Sequence, residues 1–197
     1  MSSYLISRTS IRADAGERSQ TLAGDYYIAQ ASGSFTHAVN IDAPAAAVWP
    51  WLAQMGAGRG GWYSYDFLDN RGHQSARSVL PEYQSLSVGS VLPALPGVKD
   101  GFTVLECDPG RSLVLGWGSP RSPQPSTWSF TLADRGPGRT RLVVRARGAA
   151  GYRLWRLPPR LSRQVIRVVH WIMERKQLLT IKRRAEAPRD EQPGYAF

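Results

Sequence analysis

The chain has 197 residues, 42% hydrophobic and 20% charged, with a formal net charge of +10 and a single cysteine. This balance suits one folded domain with its own core and excludes a disordered chain. One cysteine excludes an intrachain disulfide and a multi-cysteine metal site, and no run of about 18 apolar residues is present to span a membrane.

Residues 1–33 are polar and mixed, and read as an arm or loop with a short strand near Asp25–Ile28. The first twenty residues hold no apolar core of signal-peptide length, which suggests a cytoplasmic protein. In SFTHAVNI (34–41), Phe35, His37, Val39 and Ile41 share one face, the alternation of a strand. Asp42 as N-cap, Pro44 in the first turn and Gly56 just past the end then punctuate a helix. Its stripe is Val48, Trp51, Leu52 and Met55, and Pro50 inside it predicts a kink. WYSYDFLDN (62–70) reads as a short helix. A turn-rich stretch follows, with a helical turn at Pro81–Gln84 and a short strand at Ser90–Leu92.

Four strand patterns come next at 101–108, 112–117, 126–133 and 140–148. The turn chemistry between them, Asp108-Pro109-Gly110 and 134–138, predicts an antiparallel meander. The chain closes on a long helix over Arg160–Ala187. Arg163, Arg167, His170, Glu174 and Gln177 form a polar stripe on it. Val165, Val168, Val169, Ile172, Met173 and Leu179 cover the rest, and this apolar surface is expected to lie across the sheet, with Ile172 in the core.

Gly56-x-Gly58-x-x-Gly61 matches the spacing of a dinucleotide-binding fingerprint. That motif needs a strand before it and βαβ units after it. Here a helix precedes it and a meander follows, so the glycines read as a link between two helices, with Gly56 as the C-cap.

Strand, kinked helix, short helix, meander and long C-terminal helix is the element order of the helix-grip fold. IDAPAAAVWPWLAQMGAGRGGWYSYDFLDN (41–70) closely resembles a segment of bacterial START-like (SRPBCC) proteins, which include polyketide cyclase/dehydrase and lipid-transport families. PEYQSLSVGSVLP (81–93), TRLVVRARG (140–148) and MERKQLLTIKRRAE (173–186) resemble segments of the same proteins in the same order. The resemblance implies an α+β helix-grip domain over 25–187, with 1–24 as an N-terminal arm and 188–197 as a tail. It implies a curved antiparallel sheet wrapped around the long helix, and a hydrophobic small molecule (a lipid, a polyketide or another apolar metabolite) bound between them. A polyketide cyclase or dehydratase is the alternative, and it would need acid and base groups at the pocket.

For that chemistry Tyr63, Asp66 and His73 are the candidates near the proposed rim, with Tyr65 beside them and Glu106 on a strand face shared with Phe102 and Val104. Asp66 reads equally well as a cap or as a partner of Arg59 or Arg71. Arg59 itself reads as a solvated loop residue rather than an anion contact. Candidate ligand-lining residues are Trp62, Tyr63, Asp66, Trp117, Trp128, Phe130, Trp155 and Met173, although these aromatics fit an ordinary core as well. His37, His73 and His170 show no metal-ligand spacing, and His170 with Glu174 reads as a surface pair, so neither a metal nor a cofactor is expected. Cys107 reads as a small core residue.

Residues 151–189 carry eleven Lys/Arg against Glu174 and Glu186, nearly all of the excess charge. A solvated basic helix is the plain reading. Arg153, Arg156, Arg160, Arg163 and Arg167 recur every three or four residues, and such a ridge suits an acidic partner such as an acyl carrier protein. It suits a membrane surface less, because the helix is expected to spend its apolar face on the sheet. No nucleic-acid motif is present.

Overall fold

The computed structural model describes residues 9–98, 100–117, 125–149 and 159–188. Its elements are α1 (Ala15–Ser19), a 3-10 turn (Asp25–Ile28), β1 (Gly33–Ile41), α2 (Ala45–Ala53), α3 (Asp66–Asp69), a second 3-10 turn (Pro81–Tyr83), β2 (Val91–Pro93), β3 (Gly101–Asp108), β4 (Ser112–Trp117), β5 (Ser126–Asp134), β6 (Thr140–Gly148) and α4 (Pro159–Glu186). The strands make one antiparallel six-stranded sheet in the order β1-β6-β5-β4-β3-β2. The curved sheet holds the long α4, which is the helix-grip architecture.

Register defines the two faces, because residues paired across antiparallel strands point the same way. Phe35, Ala146, Trp128 and Leu115 form one row on the helix side, and His37, Val144, Phe130 and Leu113 form the next. With Trp51, Leu52 and Met55 of α2 and Leu178, Ile181 and Ala185 of α4, this face builds the main core. A bulge between Val104 and Glu106 shifts the register of β3. Glu106 therefore pairs with Val114 on the outer face and is turned away from Phe102 and Val104, against the strict alternation expected of it.

The outer face is covered by the N-terminal residues. Ala13 and Leu22 pack on Ala38 and Val143. The segment 25–28 is a 3-10 turn rather than a strand, because Asp25 spends its carboxylate on the Leu22 amide (3.0 Å) and on Arg145 (2.6 Å). Arg145 also donates to Thr36 Oγ1 (3.0 Å) and to the carbonyls of Glu17 (2.6 Å) and Gln20 (2.9 Å). Arg141 forks onto Glu17 at 2.7 and 2.8 Å, and it holds that carboxyl below its ordinary pKa against the opposing effect of burial.

Two local expectations change. Helix α2 begins after Pro44, its N-cap, while the backbone amide of Asp42 donates to Glu186 Oε1 (2.7 Å), so Asp42 is not the cap. Arg59 is neither solvated nor free for an anion: it donates to the carbonyls of Met55 (3.0 Å) and Ala53 (2.9 Å) at the end of α2 and lies over the Tyr83 ring. The glycines form a tight loop rather than a phosphate cradle. Gly56 and Gly61 exchange backbone hydrogen bonds at 3.2 and 3.0 Å with φ of 120° and 81°. A Cβ on Gly61 would stand 2.3 Å from Ser75 Oγ, so only glycine fits there.

The largest departure concerns α4. Its polar residues Glu174 and Gln177 are buried, whereas Val168, Val169, Trp171 and Ile172 are exposed. The reversal has a physical cause. Glu174 and Gln177 find partners on β1, β5 and the 62–64 segment, so their burial leaves few polar atoms unsatisfied. Ile172, at 40% exposure, is not a core residue. In this half of the helix the apolar side chains Val168, Val169, Trp171 and Ile172 are therefore not spent on the sheet. Arg167 is exposed. Arg153, Arg156 and Trp155, the side chains of Arg160 and Arg163, and both chain ends lie outside the described residues.

Candidate functional site

Beside the core, α4 and the sheet leave a cavity of about 350 Å³. The sheet supplies Phe35 from β1, Phe102 from β3, Trp128 from β5 and Ala146 from β6; α4 supplies His170, Met173, Glu174 and Gln177; the 62–69 segment supplies Trp62, Ser64 and Asp69. The aromatic wall is fixed by ring packing. Trp62 stacks on Trp128 with centroids 5.7 Å apart and meets Phe102 edge-on at 5.4 Å. Trp62 Nε1 donates to Ala94 O (3.2 Å), Gln177 Nε2 donates to Trp62 O (3.0 Å), and Ser64 Oγ donates to Met173 O (3.1 Å). The last two bonds fasten the 62–64 segment to the helix, and the first ties it to the residue after β2.

Polar groups concentrate at two places in this apolar wall. The first is Asp69. It is buried, and neither carboxyl oxygen reaches a donor on another described residue. Burial, reinforced by the Asp66 charge, raises this carboxyl to about 6. The second is Glu174, whose carboxylate is 1% exposed. His37 Nδ1 hydrogen-bonds its Oε2 from β1, His170 Nδ1 lies 3.2 Å from the same oxygen, and Trp128 Nε1 donates to Oε1 at 3.3 Å. Burial alone would raise the Glu174 carboxyl, but the two imidazoles outweigh it and hold it below the ordinary carboxylate range. His170 and Glu174 are thus not a surface pair. The three side chains offer two imidazole nitrogens and one carboxylate oxygen, all within 4.8 Å of one another.

Of the residues singled out from sequence, Trp62, Trp128 and Met173 line the cavity. Phe130 lies one row deeper, in the core. Trp117 is 39% exposed and packs edge-on against Phe102. Tyr63 is buried beside Trp51, and its hydroxyl accepts from Gln54 Nε2 (2.8 Å). Burial pushes that phenol well above its ordinary pKa. Asp66 accepts from the Ser75 amide (3.1 Å) and hydroxyl (2.5 Å), pinning the loop after α3. His73 is exposed. None of these three lines the cavity. Asp69, His37, His170, Glu174 and Gln177 take the positions beside it that sequence reasoning missed. One signal was present: the polar stripe of α4 interrupts an apolar helix, and a stripe of that kind can face inward when partners await it.

No family model matches the chain, and no curated protein matches it. Among solved structures it is similar to CalU16 from Micromonospora echinospora, 18% identical over 78% of this chain and 83% of that one, with a TM-score of 0.41. It is similar to the polyketide-cyclase-like protein Cgl2372 from Corynebacterium glutamicum, 14% identical over 83% and 97%, with a TM-score of 0.40. It is similar to PFC0360w, an HSP90 activator from Plasmodium falciparum, 15% identical over 70% and 88%, with a TM-score of 0.44. At these identities the likeness concerns the fold. No helix among the described residues is long and apolar enough to cross a membrane.

The Asp69 environment makes a prediction. The unfolded chain has an ordinary carboxyl there, near 4, so between pH 4 and 6 the folded state holds a proton that the unfolded state has lost. Stability from this group is full below pH 4 and is lost as pH rises through 6. Asp69→Asn is therefore expected to gain on the native protein across that window, by an amount on the order of 2 kcal/mol. Denaturant titrations of both proteins at pH 4 and pH 7 check this, and an equal stability difference at the two pH values would refute it.

Proposed function

We propose that the protein binds a hydrophobic, flat or polycyclic small molecule in the cavity between the sheet and α4. The observation that carries this reading is the aromatic wall of Trp62, Phe102 and Trp128 beside about 350 Å³ of space, a volume in the range of small-molecule sites. Flat apolar ligands gain most from such a wall, because ring faces bury large area in fixed geometry. A cytoplasmic location completes this reading, and the lone Cys107 is compatible with the reducing compartment it implies.

An apolar environment-sensitive dye is expected to bind saturably and to quench tryptophan fluorescence. Ala146 sits in the cavity wall between Phe35 and Trp128 in the same row, so Ala146→Trp fills the space. That variant is expected to bind the dye at least tenfold more weakly while keeping its fold. Dye binding of equal affinity in the variant would count against the cavity. Native mass spectrometry of freshly purified protein identifies the physiological occupant by mass.

A second reading, an enzyme of the cyclase or dehydratase type, is favoured by Asp69. A buried carboxyl titrating near 6 inside an apolar pocket is suited to general acid–base work near neutral pH on an enolisable poly-keto chain. Under this reading Asp69→Asn abolishes turnover and leaves ligand affinity within a few-fold. The substrate would arrive on an acidic carrier protein, drawn by the exposed Arg167, Lys176 and Arg183 of α4.

A further inference from the structure

We propose that His37, His170 and Glu174 bind one divalent transition-metal cation beside the cavity, with Zn²⁺ as the matching probe. The donors are one ring nitrogen from each imidazole and one carboxylate oxygen, within 4.8 Å of one another. Ligands at zinc distances of about 2.0–2.2 Å in a tetrahedral site lie roughly 3.3 Å apart; the 3.2 Å between His170 Nδ1 and Glu174 Oε2 is that spacing, whereas His37 Nδ1 hydrogen-bonds the same oxygen directly and must exchange that bond for the cation. The His170 nitrogen is buried and faces the same carboxylate oxygen that His37 meets. Trp128 Nε1 holds Oε1 at 3.3 Å and so turns Oε2 toward both rings, the support that an outer-shell donor gives a metal-binding carboxylate.

The donor types select the cation. Imidazole with carboxylate suits Zn²⁺ and its first-row neighbours, whereas Ca²⁺ and Mg²⁺ prefer all-oxygen sites. The surrounding field opposes binding. Arg147 lines the cavity, and Arg12, Arg18 and Arg175 line the groove outside His37. Affinity therefore rests on the three donors, and losing one should remove most of it. Three protein ligands leave a coordination position open. Because His170 and Glu174 line the cavity, that position faces it, where a ligand's carbonyl, phenolate or carboxylate oxygen would bind. This last point rests on the cavity binding a ligand; the metal site itself does not.

The test is isothermal titration of chelator-treated full-length protein with Zn²⁺ in a non-coordinating buffer, and with Co²⁺ followed by visible absorption. One cation per chain is expected, with the intense Co²⁺ bands of a low-coordinate nitrogen–oxygen site. His37→Ala, His170→Ala and Glu174→Gln should each weaken binding at least tenfold, and His73→Ala, on an exposed residue, should not change it. If Glu174→Gln fails to fold, the two histidine variants decide the matter. Absence of stoichiometric binding, or binding that His37→Ala and His170→Ala leave intact, overturns the proposal. Dye binding in the same preparations reports on the cavity separately, so failure of the metal site and failure of the ligand reading are distinguishable.

Discussion

Ile181→Asp is expected to unfold the protein, or nearly so, while Ile172→Asp leaves its midpoint almost unchanged. The two positions lie on one helix and carry the same side chain. Ile181 is fully buried in the main core, so an aspartate there would enter an apolar cluster. Burying an unpaired carboxylate costs several kcal/mol, a large part of the 5–15 kcal/mol that typically holds a domain folded. Ile172 is 40% exposed, and Lys176 stands one turn on, where an i,i+4 pair offsets part of the lost apolar contact. A change of about 1 kcal/mol or less is expected there. Chemical denaturation of both variants measures the contrast. Equal loss at the two positions would mean that the exposed face of α4 is covered in the folded protein.

Arg145→Ala is expected to cost about 3–5 kcal/mol and to release the N-terminal segment from the sheet. Arg145 is 3% exposed in its side chain and is bonded to Asp25, to Thr36 and to the carbonyls of Glu17, Arg18 and Gln20. Truncation leaves Asp25 buried with its charge only partly met, by Arg147 at 3.2 Å, and it strands three carbonyls. Arg145→Lys should recover little, because one ammonium cannot reproduce the guanidinium fork. Two measurements check this: the denaturation midpoint, and amide exchange across residues 14–28, which should rise selectively. Unchanged protection there would show that the segment is held by other contacts.

Much of the fold was legible from short-range rules. Alternation in SFTHAVNI gave β1, turn chemistry at 108–110 and 134–138 gave an antiparallel meander, and the uninterrupted run from 160 gave the long helix. The site was less legible. The size and position of Trp62, Trp128 and Met173 point to the sheet–helix interface where the cavity lies, whereas the sequence pattern draws attention to Asp66 and gives no sign of Asp69. Both lie on one four-residue helix, and nothing local says which of the two meets a donor. The Ser75 groups satisfy Asp66, and Asp69 is left facing the cavity without one.

The sequence by itself determined the class of fold, because periodicity and turn chemistry are properties of neighbouring residues. It did not determine which side of α4 turns inward. Hydropathy favours burying Val168, Val169 and Ile172, and that preference is worth only a few kcal/mol in a helix whose polar stripe has partners to meet. Those partners come from far away in the chain: His37 stands 137 positions from Glu174, and Trp128 stands 46 positions from it. Only closure of the sheet brings the strands to the helix, and only then can a carboxylate be buried with its hydrogen bonds made. The cavity and its polar groups were decided at that step, by tertiary contact and not by local pattern.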